Sequence, residues 1–305
     1  MSPERYRRIA VIALASLVAI IITGGAVRLT ESGLGCSDWP TCEENQLVPD
    51  LEFHAMVEFI NRMITGIVSL AVIAAVLASR RRNPNRSDLT RLSWGLVAGV
   101  LGQIILGAIV VLSHLNPWMV LGHFGLSMVL VWNGVLLVHR AGIDDEDYAK
   151  SSSFAYRPQA WAISTITAVV VFTGTLVTGS GPHAGNYEGQ IVDRLPLDVP
   201  DVARIHGVSV IILLTTTVLT LTWMTRNHAP DAELRRLRIV LGILLAQGLL
   251  GYVQYFTGVP AILVGLHIAG AVALWIAVLW FHLNSSADPI SAASKVRFSN
   301  PVLAP

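Results

Sequence analysis

Eight apolar blocks fix the kind of fold open to this chain. They run 9–27, 55–79, 93–113, 118–138, 160–178, 205–224, 239–256 and 262–282. About 20 mostly apolar residues carry a helix across a bilayer, and each block is of that order. Only 13% of the 305 residues are charged while 53% are hydrophobic. Ordinary soluble domains carry about 25% charged residues. A larger soluble core does not account for the difference, because the apolar residues come in span-length runs. In hydrocarbon every backbone N–H and C=O must be paired within its own segment, so the blocks are expected to be helices. The expected fold class is all-α integral membrane, with eight transmembrane helices.

The cations are distributed unevenly between the connections. Seventeen of the 21 Lys and Arg residues fall before block one, after blocks two, four, six and eight, or at the adjoining block ends. The remaining four are Arg28, Arg62, Arg194 and Arg204. By the positive-inside rule both termini are cytoplasmic, and the loops 30–53 and 179–202 are external. The basic start, Arg5 to Arg8, with its apolar run reads as a retained first helix rather than a cleaved signal. No Arg- and Ser-rich presequence precedes it, so a bacterial cell membrane is expected. A net charge of +1 gives no case for nucleic acid.

The chain also reads as duplicated. Gln103 to Gly107 matches Gln247 to Gly251, and His123 matches His267, both at an offset of 144. Thr23-Gly-Gly echoes Thr173-Gly-Thr, and an offset of 145 places Asn61 on His206. Two halves of four helices have the same orientation, as in parallel repeats related by an axis along the membrane normal. The expected architecture is two pseudo-symmetric four-helix bundles, 1–139 and 159–284. A cytoplasmic linker, 140–158, joins them, and a polar tail, 285–305, follows.

Ionisable side chains inside spans are costly and therefore mark sites. His206 and His267 lie near the outer ends of the sixth and eighth blocks, at one depth. Two imidazoles from facing helices at one depth suit axial ligation of a haem iron. The other reading is a pair of hydrogen-bonding histidines. The first half has His123 in place of His267 but Asn61, a poor iron ligand, in place of His206. Its second block carries His54, Glu58, Asn61 and Arg62 at spacings that share a helix face. Glu58 and Arg62 suit either an internal ion pair or a site that handles protons. The halves thus read as specialised: one for a permanently held haem, one for a substrate. Cys36 and Cys42, six residues apart in an outer loop, suit a disulfide, two free thiols, or a metal pair that needs further ligands.

Taken together these residues resemble the haem A synthase family. Thr30-Glu-Ser-Gly-Leu-Gly-Cys36-Ser-Asp-Trp-Pro-Thr-Cys42 resembles its first-loop cysteine motif. Glu58-Phe-Ile-Asn-Arg62 resembles its second-helix Glu-x-x-His-Arg motif, and Thr178-Gly-Ser-Gly-Pro-His-Ala-Gly185 its fifth-to-sixth connection. The resemblance implies oxidation of the C8 methyl group of haem O to a formyl group by two hydroxylations, giving haem A for terminal oxidases. It implies haem b on His206 and His267, and substrate haem on His123 with Asn61, His54 and Arg62 nearby. It implies proton handling or substrate positioning by Glu58, and a Cys36–Cys42 disulfide. Haem O synthase and an electron donor are the partners it suggests. Asn61 departs from the family's histidine. His54 lies two helical turns away, roughly 10 Å, so either it ligates from a shifted position or the substrate iron has His123 alone.

Other functions stay in view. A diheme b-type electron-transfer protein would carry two equivalent bis-histidine sites, which Asn61 argues against. A transporter would place its polar residues at broken helices near the midplane. Arg28, Arg62 and Arg204 suit propionates or headgroups, and His183 suits a loop over a haem edge. Trp39 and Trp118 fit an aromatic belt. His139, His228 and His282 read as solvated at the cytoplasmic ends. Uniformly apolar lipid-facing surfaces are compatible with an oligomer.

Overall fold

The computed structural model describes residues 1–43, 48–145, 158–187 and 189–285. Most of the linker, including Lys150, Ser151 and Arg157, and the tail beyond Ser285, with Lys295 and Arg297, lie outside the described residues.

Among the described residues eight helices follow one another: α1 Pro3–Leu29, α2 Phe53–Arg81, α3 Ser87–Leu112, α4 Pro117–Ala141, α5 Pro158–Ser180, α6 Val199–Arg226, α7 Asp231–Phe256 and α8 Ala261–Asn284. All eight are long and apolar enough to cross a membrane, so the chain is a multi-pass membrane protein. At 1.5 Å per residue they measure about 35–44 Å, more than the ~30 Å hydrocarbon layer. Each helix extends past its apolar block. The largest difference is in α7, which starts at Asp231 rather than near residue 239. Its polar first turns hold Asp231 and Glu233, which favour a helix N-terminus through the macrodipole, and Pro230 stands at the cap. Apolar pattern reports the hydrocarbon layer; the helix continues beyond it, with Asp231 exposed and Glu233 covered by the protein.

Neighbouring helices close two rings. In one, α1 touches α2, α2 touches α3, α3 touches α4, and α4 returns to α1; α5 to α8 repeat the pattern. Between the rings α4 meets α8, α1 meets α8, and α4 meets α5. A two-fold axis beside the α4–α8 contact exchanges the last two, so the packing has the expected pseudo-symmetry. Each ring has its own core, for example Leu17, Val72, Leu96 and Leu137 in the first and Ile163, Leu213, Leu237 and Phe281 in the second. A third cluster, with Val131, Val135, Val272, Trp275 and Leu279, fills the seam. Small residues such as Ala10, Ala13 and Ala75 are fully buried. They let backbones approach where lipid offers no hydrophobic drive for association.

One expectation is corrected at the seam. His139 and His282 are buried, not solvated. They occupy the last turns of α4 and α8, the two helices that meet across the axis. His282 Nδ1 lies 2.9 Å from Ser164 Oγ, and His139 stands edge-on to Trp280. His228 is exposed as expected.

Across the seam Trp275 Nε1 donates to the Met128 carbonyl at 3.0 Å. Trp275→Phe removes that bond and keeps most of the volume. It should cost about 0.5–1.5 kcal/mol, measured as unfolding in mixed micelles. An unchanged stability would show that the bond does not hold the halves together.

Candidate functional site

His123, His206 and His267 are the seventh, eighth and seventh residues of α4, α6 and α8, and Asn61 is the ninth of α2. All four helices enter from the end of the molecule that carries the Cys36–Cys42 loop. The four side chains therefore sit about 9–12 Å along their helices, at matching depth.

Each of the four lies on a glycine of a neighbouring helix. A Cβ on Gly174 would stand 3.1 Å from His206 Cε1, and one on Gly251 3.2 Å from His267 Cε1. In the first half the same construction gives 3.5 Å from Gly107 to His123 Cε1 and 4.0 Å from Gly24 to Asn61 Nδ2. The repeat is thus a repeat of contacts: a glycine on one helix, a polar side chain seated on it from the next. The seats are tight in the second half and looser in the first.

Hydrogen bonds repeat as well. Thr173 Oγ1 stands 3.1 Å from His206 Nδ1 and 3.0 Å from the carbonyls of Val169 and Val170. With its proton on the backbone, the hydroxyl accepts from Nδ1–H, which leaves the lone pair on Nε2. That is how an outer partner fixes the tautomer of a ligating imidazole. Thr23 occupies the equivalent place, and its hydroxyl donates to Asn61 Oδ1 at 2.8 Å. Gln103 Nε2 donates to the His123 carbonyl and to Ser127 Oγ, at 3.0 and 2.7 Å, tying α3 to α4 beside the histidine.

The His206 and His267 rings face each other with centroids 6.4 Å apart, at 80°. Metal–imidazole nitrogen bonds measure about 2 Å, so two imidazoles on one iron place their centroids roughly 6 Å apart. His267 Nδ1 and His123 Nδ1 are buried without a partner among the described residues. Buried polar atoms left this way call for an explanation, and none of the described hydrogen bonds engages Nε2 of the three histidines. The pair fits an iron held between two imidazoles.

Glu58 is 5% exposed, and both carboxylate oxygens are taken. Oε1 pairs with Arg62 at 2.7 Å, and Oε2 accepts the Cys36 N–H at 2.9 Å. Arg62 also donates to the carbonyls of Asp38 and Thr41. Cys36 and Cys42 form a disulfide, and both are buried. The Glu58–Arg62 pair is therefore the anchor of the disulfide loop on α2. Gly35 packs against the His54 carbonyl too closely for any side chain.

The other candidates have partners in this outer layer. His54 Nδ1 lies 3.0 Å from Ser32 Oγ, and its ring stacks on Tyr187 at 4.9 Å. Arg28 donates to the carbonyls of His183 and Thr178, and His183 Nε2 meets the Val259 carbonyl at 2.8 Å. With Gly33 N–H donating to the Gly185 carbonyl, these contacts strap the loop of the second half onto that of the first. Arg204 pairs with Asp201 at the exposed start of α6. Sequence reasoning missed Thr23, Thr173 and the four glycines. Their signals were the Thr-Gly echo between α1 and α5 and, for Gly107 and Gly251, the match of Gln103–Gly107 with Gln247–Gly251.

Fold and site define a membrane protein whose described residues form eight spanning helices in two duplicated bundles, with polar side chains at four equivalent positions, three of them histidines. The chain belongs to the cytochrome oxidase assembly protein family (COX15-CtaA), whose model matches residues 7–54 and 49–279. Curated relatives are named heme A synthase. The Lysinibacillus sphaericus protein is 27% identical over 183 residues, covering 58% of this chain and 59% of that protein. The Symbiobacterium thermophilum protein is 26% identical over 248 residues, 76% of this chain and 79% of its own. The Listeria welshimeri protein is 27% identical over 284 residues, 88% and 90% respectively. The chain thus spans somewhat less than two thirds of the first of these and most of the other two.

Removing the anchor should expose the disulfide. Charge-assisted hydrogen bonds contribute about 1.5–3 kcal/mol, so Glu58→Ala should speed reduction of Cys36–Cys42 by dithiothreitol about tenfold or more, followed by thiol labelling. An unchanged rate would mean that the loop holds without Glu58.

Proposed function

We propose that this chain is a haem A synthase, an oxidoreductase that converts the C8 methyl group of haem O to the formyl group of haem A. Two hydroxylations give a gem-diol, which loses water; four electrons leave the methyl carbon overall. The observation that carries the reading is the facing His206–His267 pair in one bundle, set against a His123 and Asn61 pair at the equivalent depth in the other. Family membership brings a haem cofactor with it, and the residues fit one.

In this reading His206 and His267 hold a resident haem b in the half 159–284. Bound there, it supplies electron transfer. Thr173 keeps His206 Nε2 unprotonated and aimed inward. The half 1–139 takes haem O, with His123 as its ligand and Asn61 and Arg62 beside it, while His54 acts through the outer layer. Glu58 serves proton handling or substrate positioning, through the loop that it anchors. The termini face the cytoplasm of a bacterial cell, haem O synthase supplies the substrate, and a separate donor and oxidant complete the reaction. A diheme electron carrier is disfavoured by Asn61, which breaks the equivalence of the two halves.

The test is expression in a bacterial host that makes haem O but no haem A, with extracted haems separated by chromatography and identified by mass. Haem A or its hydroxylated precursor is expected. His206→Ala should strip the resident haem, whereas Glu58→Ala should keep its spectrum and stop turnover. Well-folded protein holding only haem b and unchanged haem O, even with a reductant supplied, would sink the reading. Full activity of Glu58→Ala would remove Glu58 from the reaction.

A further inference from the structure

The two halves are built alike in the threonine and the glycine that flank one of the facing side chains, and differ in that side chain. On the second-half side stand Thr173, Gly174 and His206; on the first-half side stand Thr23, Gly24 and Asn61. The threonine meets position 206 through Nδ1 at 3.1 Å and position 61 through Oδ1 at 2.8 Å. The glycine lies beneath each side chain. Asn61 thus occupies the place of a ligand without the chemistry of one. Its Nδ2 is an amide nitrogen with no basic lone pair. Its Oδ1 is a hard donor, suited to Mg²⁺ or Ca²⁺ rather than haem iron, and it already accepts the Thr23 proton.

Nor does another histidine fill the gap. His54 is committed to Ser32 and to the Tyr187 ring, seven residues nearer the start of α2. What remains at the fourth position is the Asn61 amide, its acceptor used by Thr23 and its Nδ2 beside Gly24, with no hydrogen bond from Nδ2 among the described residues. A haem pocket's hydrogen-bond donors and free space decide whether the iron is closed for electron transfer or open to a small ligand. Asn61 and His123 also pack less closely on Gly24 and Gly107 than His206 and His267 pack on Gly174 and Gly251.

We infer that residue 61 decides the division of labour: Asn61, held by Thr23, leaves the iron of a haem bound on His123 five-coordinate, with an amide donor beside its open position, whereas His206 at the equivalent position closes the other haem. This rests on the haem assignments proposed above and adds the coordination state of each half.

Carbon monoxide is the probe, because it binds reduced iron only where a position is open. The full chain in detergent is loaded with haem until uptake stops, reduced, and titrated with carbon monoxide while the difference spectrum is recorded. In the wild-type chain one of two haems should react, and His123→Ala should remove the reactive one. Asn61→His should convert that haem to an unreactive, low-spin form. His206→Asn should open the second half, so that both haems react. This last variant tests the same rule if Asn61→His fails to fold. A wild-type chain whose haems are all inert, or that takes no second haem, overturns the inference. So does a reactive fraction that survives Asn61→His in folded protein, or a His206→Asn chain that gains none. Haem A formation in the same cells is scored separately. Haem A made by a chain inert to carbon monoxide ends this inference alone, whereas no haem A and no bound haem ends the functional reading too.

Discussion

A bilayer offers no partner for a polar group that the protein leaves unpaired, and most of this structure follows from that constraint. Backbone groups are satisfied by eight uninterrupted helices. The polar side chains inside must find partners, some on the preceding turn of their own helix, as Thr167 and Thr217 do, and some on a neighbouring helix, where they fix a helix pair. Gln103 joins α3 to α4, Thr23 joins α1 to α2, and Thr173 joins α5 to α6. Among the described residues the exceptions include His123 Nδ1 and His267 Nδ1, together with the Oε1 atoms of Gln103, Gln247 and Gln254. In hydrocarbon such atoms are tolerated where function requires them.

Duplication lets one scaffold carry two sites that differ in a few side chains. Two like bundles set side by side place four polar side chains at one depth, each seated on a glycine. The scaffold carries the expensive part, a polar position inside an apolar bundle. Divergence then needs only a change of side chain in a seat that already exists. The loops at the disulfide end join the halves a second time: Arg28 reaches from α1 to the carbonyls of Thr178 and His183, and Tyr187 covers His54. Glu58 and Arg62 touch that layer from α2, on the same helix turns as Asn61, which makes them a link between the loop and the Asn61 position.

The sequence made the spans, the two bundles and the four equivalent positions legible, because hydrocarbon enforces apolar runs and a fixed offset carries register. It placed His206 and His267 at one depth, and the structure brings their rings together edge to face, 6.4 Å between centroids. The cysteines were readable as a pair, but their anchoring by Glu58 was not, since Cys36 N–H is a backbone group with no side-chain signature. Helix ends were misjudged where polar turns continue into the headgroup layer, as at Asp231. His139 and His282 were misread because sequence shows nearness to a charged end but not which helix covers it. The threonine and glycine partners were visible only as weak echoes, since small residues are common in membrane helices for many reasons.

The central claim is that one bundle clamps an iron between two imidazoles while the other offers a single histidine. A structure of the haem-loaded chain, at a resolution that locates iron by its anomalous signal, tests it most directly. The account predicts one iron between His206 and His267 and a second against His123, with no protein nitrogen on its far side. Irons placed away from these histidines, or two irons each between a pair of protein ligands, would contradict it.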